Sequence, residues 1–500
     1  MTIDNNIHEQ IFSKSVELWS NQPGTQKAIQ NRLGWLNAPD FSRQNITSLL
    51  QLQSKVVEGG FQQVVLLGMG GSSLAPEVFN RFTTFLPLEK QTGLHLIVLD
   101  GTCPAQIQKV RSQIDLPKTL FIVASKSGGT VETRFLFDYF FAEVSEYSEQ
   151  PGQHFLAITD SNSALEKLAK QESFFSCFIN PSDIGGRYSA LSFFGLVPAA
   201  LLGWDIEKLL DRADAAIRDS QRGKGLGLKL GKWLLEGYNK PTDIVFFDFE
   251  GPELAALFMW IEQLVAESLG KRGEGLFLSQ SKNGNKKLAD NAKCLEISIN
   301  HLGEYSFDDE HASIHLIDEY DIAAHFFHWE FATAIAAAGI GINPFDEPNV
   351  AEAKQKTSEL LTHAAPVKVP ESQSSIQDFL SSLGQSQYLA LLVYAEDCEA
   401  NVAQMQRIKS DIEKHIDIPV TINIGPRYLH SVGQLHKGGK QHGAFLVLLD
   451  MPKAIIPIPG QSFGFDKLFC AQALGDFQIL TEKGLPTEFI TVDSLNDLVV

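Results

Sequence analysis

The stretch TLFIVASKSGGT, residues 119–130, decides the fold. Its first six residues are almost wholly apolar and then stop at a Ser/Gly cluster. A short apolar run bounded by turn residues reads as a strand buried on both faces. Residues 130–146 then continue as a helix. The same strand–turn–helix order appears earlier in QQVVLLGMGGSS, residues 62–73. HLIVLD (95–100) and HFLAIT (154–159) add two more short runs, with helical segments at 73–84 and 103–113 between the strands. Strand alternating with helix argues a parallel sheet covered by helices on both faces.

Working outward, residues 8–34 read as one or two helices and 44–59 as another, ended by Gly59-Gly60. ALSFFGLVPAALLG (190–203) is an apolar helix that closes the first layer. Residues 206–241 are polar and helical around a Gly-rich turn, RGKGLGLKLG. A second alternation begins at DIVFFDF (243–249) and continues with helix 253–268, a strand near 293–299 and a long helix at 321–340. YLALLVYA (388–395), IPVTINI (418–424) and GAFLVLL (443–449) are further strands, and 364–376 is loop-like. The expected division is an N-terminal helical segment 1–44, a first α/β domain 45–205, a helical crossover 206–241, a second α/β domain 242–480 and a C-terminal tail 481–500.

The 500 residues carry 41 basic and 60 acidic side chains, a net charge of −19. That average field disfavours nucleic acid and anionic membrane surfaces as partners. It leaves small anionic substrates open, because a local pocket can oppose the global sign. The cysteines at 103, 177, 294, 398 and 470 form neither a disulfide framework nor a close-spaced metal knuckle. No signal peptide is visible in MTIDNNIHEQIF, and the longest apolar stretches, 191–204 and 331–342, are too short to span a bilayer. A cytoplasmic protein is expected.

Three glycine clusters carry candidate chemistry. GMGGSS (68–73) follows a strand, and Gly70 and Gly71 permit close backbone approach to an anion at a helix start. The third glycine of a dinucleotide fingerprint is replaced by Ser73. Asp100, at the end of the next strand, keeps a ribose contact open; Ser72 and Ser73 suit a phosphate monoester better, and a plain tight turn is the third reading. SKSGGT (125–130) sets Ser125, Ser127 and Thr130 around Gly128 and Gly129, with Glu132 and Thr133 in the first helical turn. It is not a nucleoside-triphosphate loop, which needs GxxxxGK[ST]. Two hydroxyl-rich junctions in one sheet point to a phosphorylated small molecule, or else to two helix caps. In DIGGRYS (183–189), Arg187 follows two glycines and reads as an anion contact or a buried ion pair.

GMGGSSLAPEV, SKSGGTVET, IGGRYSALSFFG, AESLGK and GINPFDEPNVAEAK, in this order, resemble the glucose-6-phosphate isomerase family. The similarity is closest to the isomerase half of bifunctional transaldolase–isomerase chains and covers roughly residues 45–480. The leading 45 residues cannot hold a transaldolase barrel of about 250 residues. The resemblance implies two sugar-isomerase (SIS) domains, each a three-layer α/β/α sandwich with a mainly parallel sheet. It implies interconversion of glucose 6-phosphate and fructose 6-phosphate, no metal or organic cofactor, and a homodimer.

By motif, Ser72, Ser125, Ser127 and Thr130 match the phosphate-binding residues, supported by Gly70, Gly71, Gly128 and Gly129. Arg187 matches the active-site arginine, Glu267 in AESLGK the proton-moving carboxylate, and Lys354 the ring-opening lysine. The Lys354 motif departs from the family's DQxGVExxK, with Glu347, Asn349 and Ala351 in place of Gln, Gly and Glu. The histidine is assigned to His430 in LHSVGQ (429–434), which follows Lys354 instead of preceding it. In family dimers this histidine is donated by the neighbouring subunit.

His436 and His442 compete for that role, and Arg427, Lys437 and Lys440 make the segment locally basic. His311, His315, His325 and His328 lack an HExxH zinc spacing and read as packing or solvent-facing residues. Glu267 sits near the C-terminal end of its helix, where the dipole and partial burial should raise its pKa. One carboxylate serving both C1 and C2 implies a cis-enediol(ate). The rivals are an isomerase that also takes mannose 6-phosphate, a non-catalytic sugar-phosphate regulator and, more remotely, a nicotinamide dehydrogenase.

Overall fold

The computed structural model describes residues 4, 6–239, 243–280, 293–299, 304–362, 369–370 and 375–498. Much of the loop expected at 364–376 lies outside these described residues. The chain is α/β, with mostly parallel sheets arranged as in SIS-type sandwiches.

In the first sheet the apolar runs become β1 (Gln63–Gly68), β2 (His95–Leu99), β3 (Thr119–Ala124) and β4 (Phe155–Asp160), joined by β5 (Ser176–Asn180). All are parallel, in the order β2-β1-β3-β4-β5. The order reverses between β1 and β3, so the helices that follow them leave on opposite faces. A crevice opens beyond the carboxyl ends of two such strands. GMGGSS leaves β1 and SKSGGT leaves β3, so both glycine loops border that crevice.

The second alternation separates into two sheets. β6 (Ile244–Asp248), β7 (Phe277–Gln280), β8 (Lys293–Ile299), β9 (Ser306–Phe307) and β10 (His311–Leu316) run in the order β7-β6-β8-β10-β9, parallel except for β9. β11 (Tyr388–Tyr394), β12 (Val420–Ile424), β13 (Gly443–Asp450) and β14 (Thr487–Val492) form a third, parallel sheet in the order β12-β11-β13-β14. β14 lies within the segment expected to be a tail. The two sheets meet where the Phe277 ring stacks on Tyr388 at 3.9 Å.

Helices Pro252–Leu269 and Ile322–Ile340 join the first two sheets into one core. The latter helix is buried on nearly every side, which explains its all-round apolar sequence. The RGKGLGLKLG segment turns only at its start and is helical from Leu226. A Cβ on Gly231 would fall 2.8 Å from Ile335 Cβ, so this glycine lets helix Leu226–Tyr238 press against Ile322–Ile340. No helix among the described residues is long and apolar enough to cross a membrane.

Candidate active site

The site is built where the three glycine clusters meet. Gly71 crosses the DIGGRYS loop so closely that a Cβ would lie 2.3 Å from Gly186 O. Gly70 has φ +55°, and a Cβ there would lie 2.6 Å from His430 O. These glycines let backbones pass each other and open a cavity of about 660 Å³ beyond the first sheet. Ser72, Ser127, Thr130, Arg187, Glu267, Lys354 and His430 all line it. The structure therefore gathers residues from every candidate motif, within one chain.

Ser125 stands apart. It is buried behind the loop, where its hydroxyl donates to Thr130 Oγ1 at 3.1 Å. Gly128, at φ +68°, turns the loop against Leu165, and Thr130 stands at the N-cap position of helix Val131–Ser145, whose N-terminus lies beside the cavity. Free N–H groups at such a terminus suit an anion.

Glu267 lies in the last turn of helix Pro252–Leu269, with Gly270 after it. Its side chain is buried, and Oε2 is 3.3 Å from Arg187 Nη1. Burial pushes its pKa up to about 7; the Arg187 charge opposes the rise and the Glu347 carboxylate adds to it. Arg187 is itself buried and held on every side: Nε donates to Ser268 Oγ at 2.9 Å, Nη1 to Glu347 at 3.1 Å, and Nη2 to Asp346 O at 3.0 Å. The substitution of Glu347 into the Lys354 motif thus brings a second acid to Arg187. Lys354 is on helix Val350–Thr362, exposed at the cavity wall.

His430 follows β12 in a short 3₁₀ turn and enters the cavity from the third sheet. Its Nε2 is 3.0 Å from Glu132 Oε1. Burial alone would raise Glu132, but His430 and Lys354 beside it prevail and hold its pKa down at about 2. An ionised carboxylate only accepts, so Nε2 carries a proton in this contact. Gln472 Nε2 also donates to Glu132 Oε1 at 2.9 Å, and Thr102 fixes Gln472 in turn at 2.6 Å. Gln263 Nε2 donates to His430 O at 2.8 Å. His430 thus reaches this cavity from its own chain, although it follows Lys354 in sequence.

Other candidates lie elsewhere. His436 is buried between Tyr388 OH and Asn423 Oδ1, at 3.2 Å from each, and burial brings its pKa down to about 3. Asp100 binds Arg427 through both oxygens at 2.9 Å, which leaves no ribose contact. Lys437 and Lys440 are paired at 2.5 Å with Asp476 and Asp243. The local basicity of this segment is therefore neutralised by distant acids. His325 and His328 are buried in helix Ile322–Ile340, His315 stacks on Tyr305, and His311 is exposed. Among the described residues, no three His, Cys, Asp or Glu side chains gather as a metal ligand set.

Residues 53–276 match the family model described as Phosphoglucose isomerase. The chain is 28% identical over 393 residues to a probable glucose-6-phosphate isomerase of Methanococcus maripaludis, covering 67% of this chain and 86% of that protein. It is 30% identical over 241 residues to a glucose-6-phosphate isomerase of Campylobacter jejuni, covering 48% of this chain and 57% of the relative. With that of Nostoc punctiforme it shares 32% over 263 residues, 47% and 48% of the two chains. The chain thus spans about half the length of these last two relatives. In fold it is similar to a hypothetical protein of Thermus thermophilus, with TM-score 0.60, 21% identity, and 71% and 94% of the chains covered. It is also similar to a glucose-6-phosphate isomerase of Chlamydia trachomatis, with TM-score 0.54, 19% identity, and 64% and 73% covered.

Sequence reasoning passed over Gln263 and Gln472 and saw Glu132 only as a first-turn acid. A glutamate at that helical position is ordinarily dipole complementation. The signal that could have raised it is its place, five residues after Ser127, beside a loop already suspected of binding a ligand.

Proposed function

We propose that this protein interconverts glucose 6-phosphate and fructose 6-phosphate through a cis-enediol(ate). One observation carries the reading: a buried carboxylate, Glu267, is poised near neutrality against Arg187 in a cavity whose far wall is hydroxyl-rich. The match of residues 53–276 to the Phosphoglucose isomerase model and the similarity to glucose-6-phosphate isomerases support it.

In this scheme the substrate phosphate sits against Ser72, Ser127, Thr130 and the N-terminus of helix Val131–Ser145. Ser125 braces Thr130 from behind. Anchoring the remote end converts binding energy into alignment of C1 and C2. His430 and Lys354 act on the ring oxygen and O1 to open the pyranose, with Glu132 holding the imidazole. Glu267 then takes the proton from C2 and returns it to C1. A base whose pKa lies near the working pH is well matched to that task. Arg187 stabilises the negative oxygen of the intermediate, and its five protein contacts fix it in place before charge develops. Each group in this scheme belongs to the same chain.

The test is formation of glucose 6-phosphate from fructose 6-phosphate, followed by coupling to glucose-6-phosphate dehydrogenase. Turnover is expected, with deuterium entering C2 when the reaction runs in D₂O. Tight binding of fructose 6-phosphate without turnover would overturn the proposal and favour a sugar-phosphate regulator. Equal turnover of mannose 6-phosphate would widen the substrate range.

A further inference from the structure

The segment just ahead of the first domain is fastened to the Arg187 loop. Gly34 N–H donates to Asp183 O at 3.0 Å, and Leu33 pairs with Ile184 in an antiparallel bridge. The Trp35 ring packs on Tyr188 with centroids 5.3 Å apart. A Cβ on Gly34 would fall 2.4 Å from Asp183 Oδ1, so glycine permits this close approach. The fastening carries Arg32 to the cavity wall, with its Cδ 3.8 Å from where a Cβ on Gly185 would stand. Arg32 lies outside residues 53–276, the stretch that matches the family model.

Two of the cavity's other cations, Arg187 and Lys126, are tied to acids. Arg187 is bound to Glu267 and Glu347. Lys126 donates to Asp160 at 2.6 Å and to Ser182 O at 2.8 Å. Lys354 lies beside the Glu132–His430 pair. Arg32 differs: among the described residues its guanidinium makes one hydrogen bond, to Asn31 O at 3.0 Å, and no ion pair within 4 Å. Its charge is felt at both Lys126 and Asp160, which places it next to the SKSGGT loop.

We propose that Arg32 is a binding residue for the phosphate group of the substrate. Hydroxyls and N–H groups can cradle a phosphate dianion, but in a protein of net charge −19 its charge also needs a nearby cation. The planar guanidinium can donate two parallel hydrogen bonds to phosphate oxygens. The proposal rests on the isomerase reading for the substrate, but not for the anion subsite itself.

Arg32→Gln removes the charge while keeping a stem over Gly185, and Arg32→Lys keeps the charge without the fork. Inorganic phosphate would be titrated into the wild type and both variants by calorimetry, with thermal melts confirming folding. KM and kcat for fructose 6-phosphate would be measured alongside. For Arg32→Gln, phosphate affinity should weaken and KM rise by about tenfold or more, the scale of a lost charge-assisted contact, with kcat within about twofold. Arg32→Lys should fall between. Unchanged phosphate affinity in folded Arg32→Gln, or no phosphate binding by the wild type at millimolar concentration, would overturn the assignment. If the wild type fails to turn over fructose 6-phosphate but phosphate binding still depends on Arg32, the isomerase reading fails and the subsite stands.

Discussion

Two buried glutamates near His430, one lining the cavity and one behind the imidazole, are driven in opposite directions. Glu267 closes a helix and is pushed up to about 7, while Glu132 opens a helix and is held down at about 2. Both lose water, and burial is the largest influence on each. The neighbours decide the outcome. Arg187 faces Glu267 but shares its charge with Glu347, which leaves burial dominant. Glu132 has His430 in direct contact, Lys354 nearby and Gln472 donating to the same oxygen. The helix termini act in the same sense, since a carboxylate is disfavoured at a C-terminus and favoured at an N-terminus. One carboxylate is thereby suited to exchange a proton and the other to hold an imidazole without exchanging one.

The contrast breaks most severely if Glu267, the proposed base, is removed. Glu267→Gln should lower kcat for fructose 6-phosphate by about a thousandfold or more, the range of a lost general base, with KM little changed. Near-normal turnover would make Glu267 a structural acid like Glu132. Glu132→Gln should cost less, about ten- to a hundredfold in kcat, because the imidazole loses its anchor but not its position in the chain. If His430 acts in ring opening, this loss should shrink when an open-chain substrate analogue replaces the cyclic sugar phosphate.

The finest test concerns the balance around Arg187. In the wild type kcat should fall as pH drops through about 7, where Glu267 becomes protonated. Glu347 raises the pKa of Glu267, so Glu347→Gln removes that push and releases more of Arg187 to the base. The acid limb should therefore move to lower pH, by about half a unit to one unit on ordinary charge-coupling scales. A limb that stays put, or moves upward, would show that Glu347 does not tune the base.

Legibility in the sequence followed burial. Strands β1, β3, β11 and β13 lie inside their sheets and read as continuous apolar runs, because both faces are covered. The strands that went unread, β5, β7, β9 and β14, are sheet edges; β5 and β14 are only half-buried and mix polar with apolar residues. β10 is interior, but two histidines interrupt HASIHL. The break between the second and third sheets was hidden because each has the same local grammar.

At the site, the residue types and the strand–turn–helix loops were written locally, and so was the position of Glu267 at a helix end. Their convergence was not. His430 comes from the third sheet, Arg187 from the loop after β5, and Arg32 from ahead of the first domain. A motif fixes which groups are available and how the nearby backbone turns, since both depend on a few adjacent residues. Tertiary structure alone decided which glutamate is pushed up toward neutrality and which is held down, which lysines and arginines are paired with acids, and that His430 meets Glu132. Those outcomes depend on desolvation and on charges brought close from hundreds of residues away in sequence, as in the Glu132–His430 pair 298 residues apart.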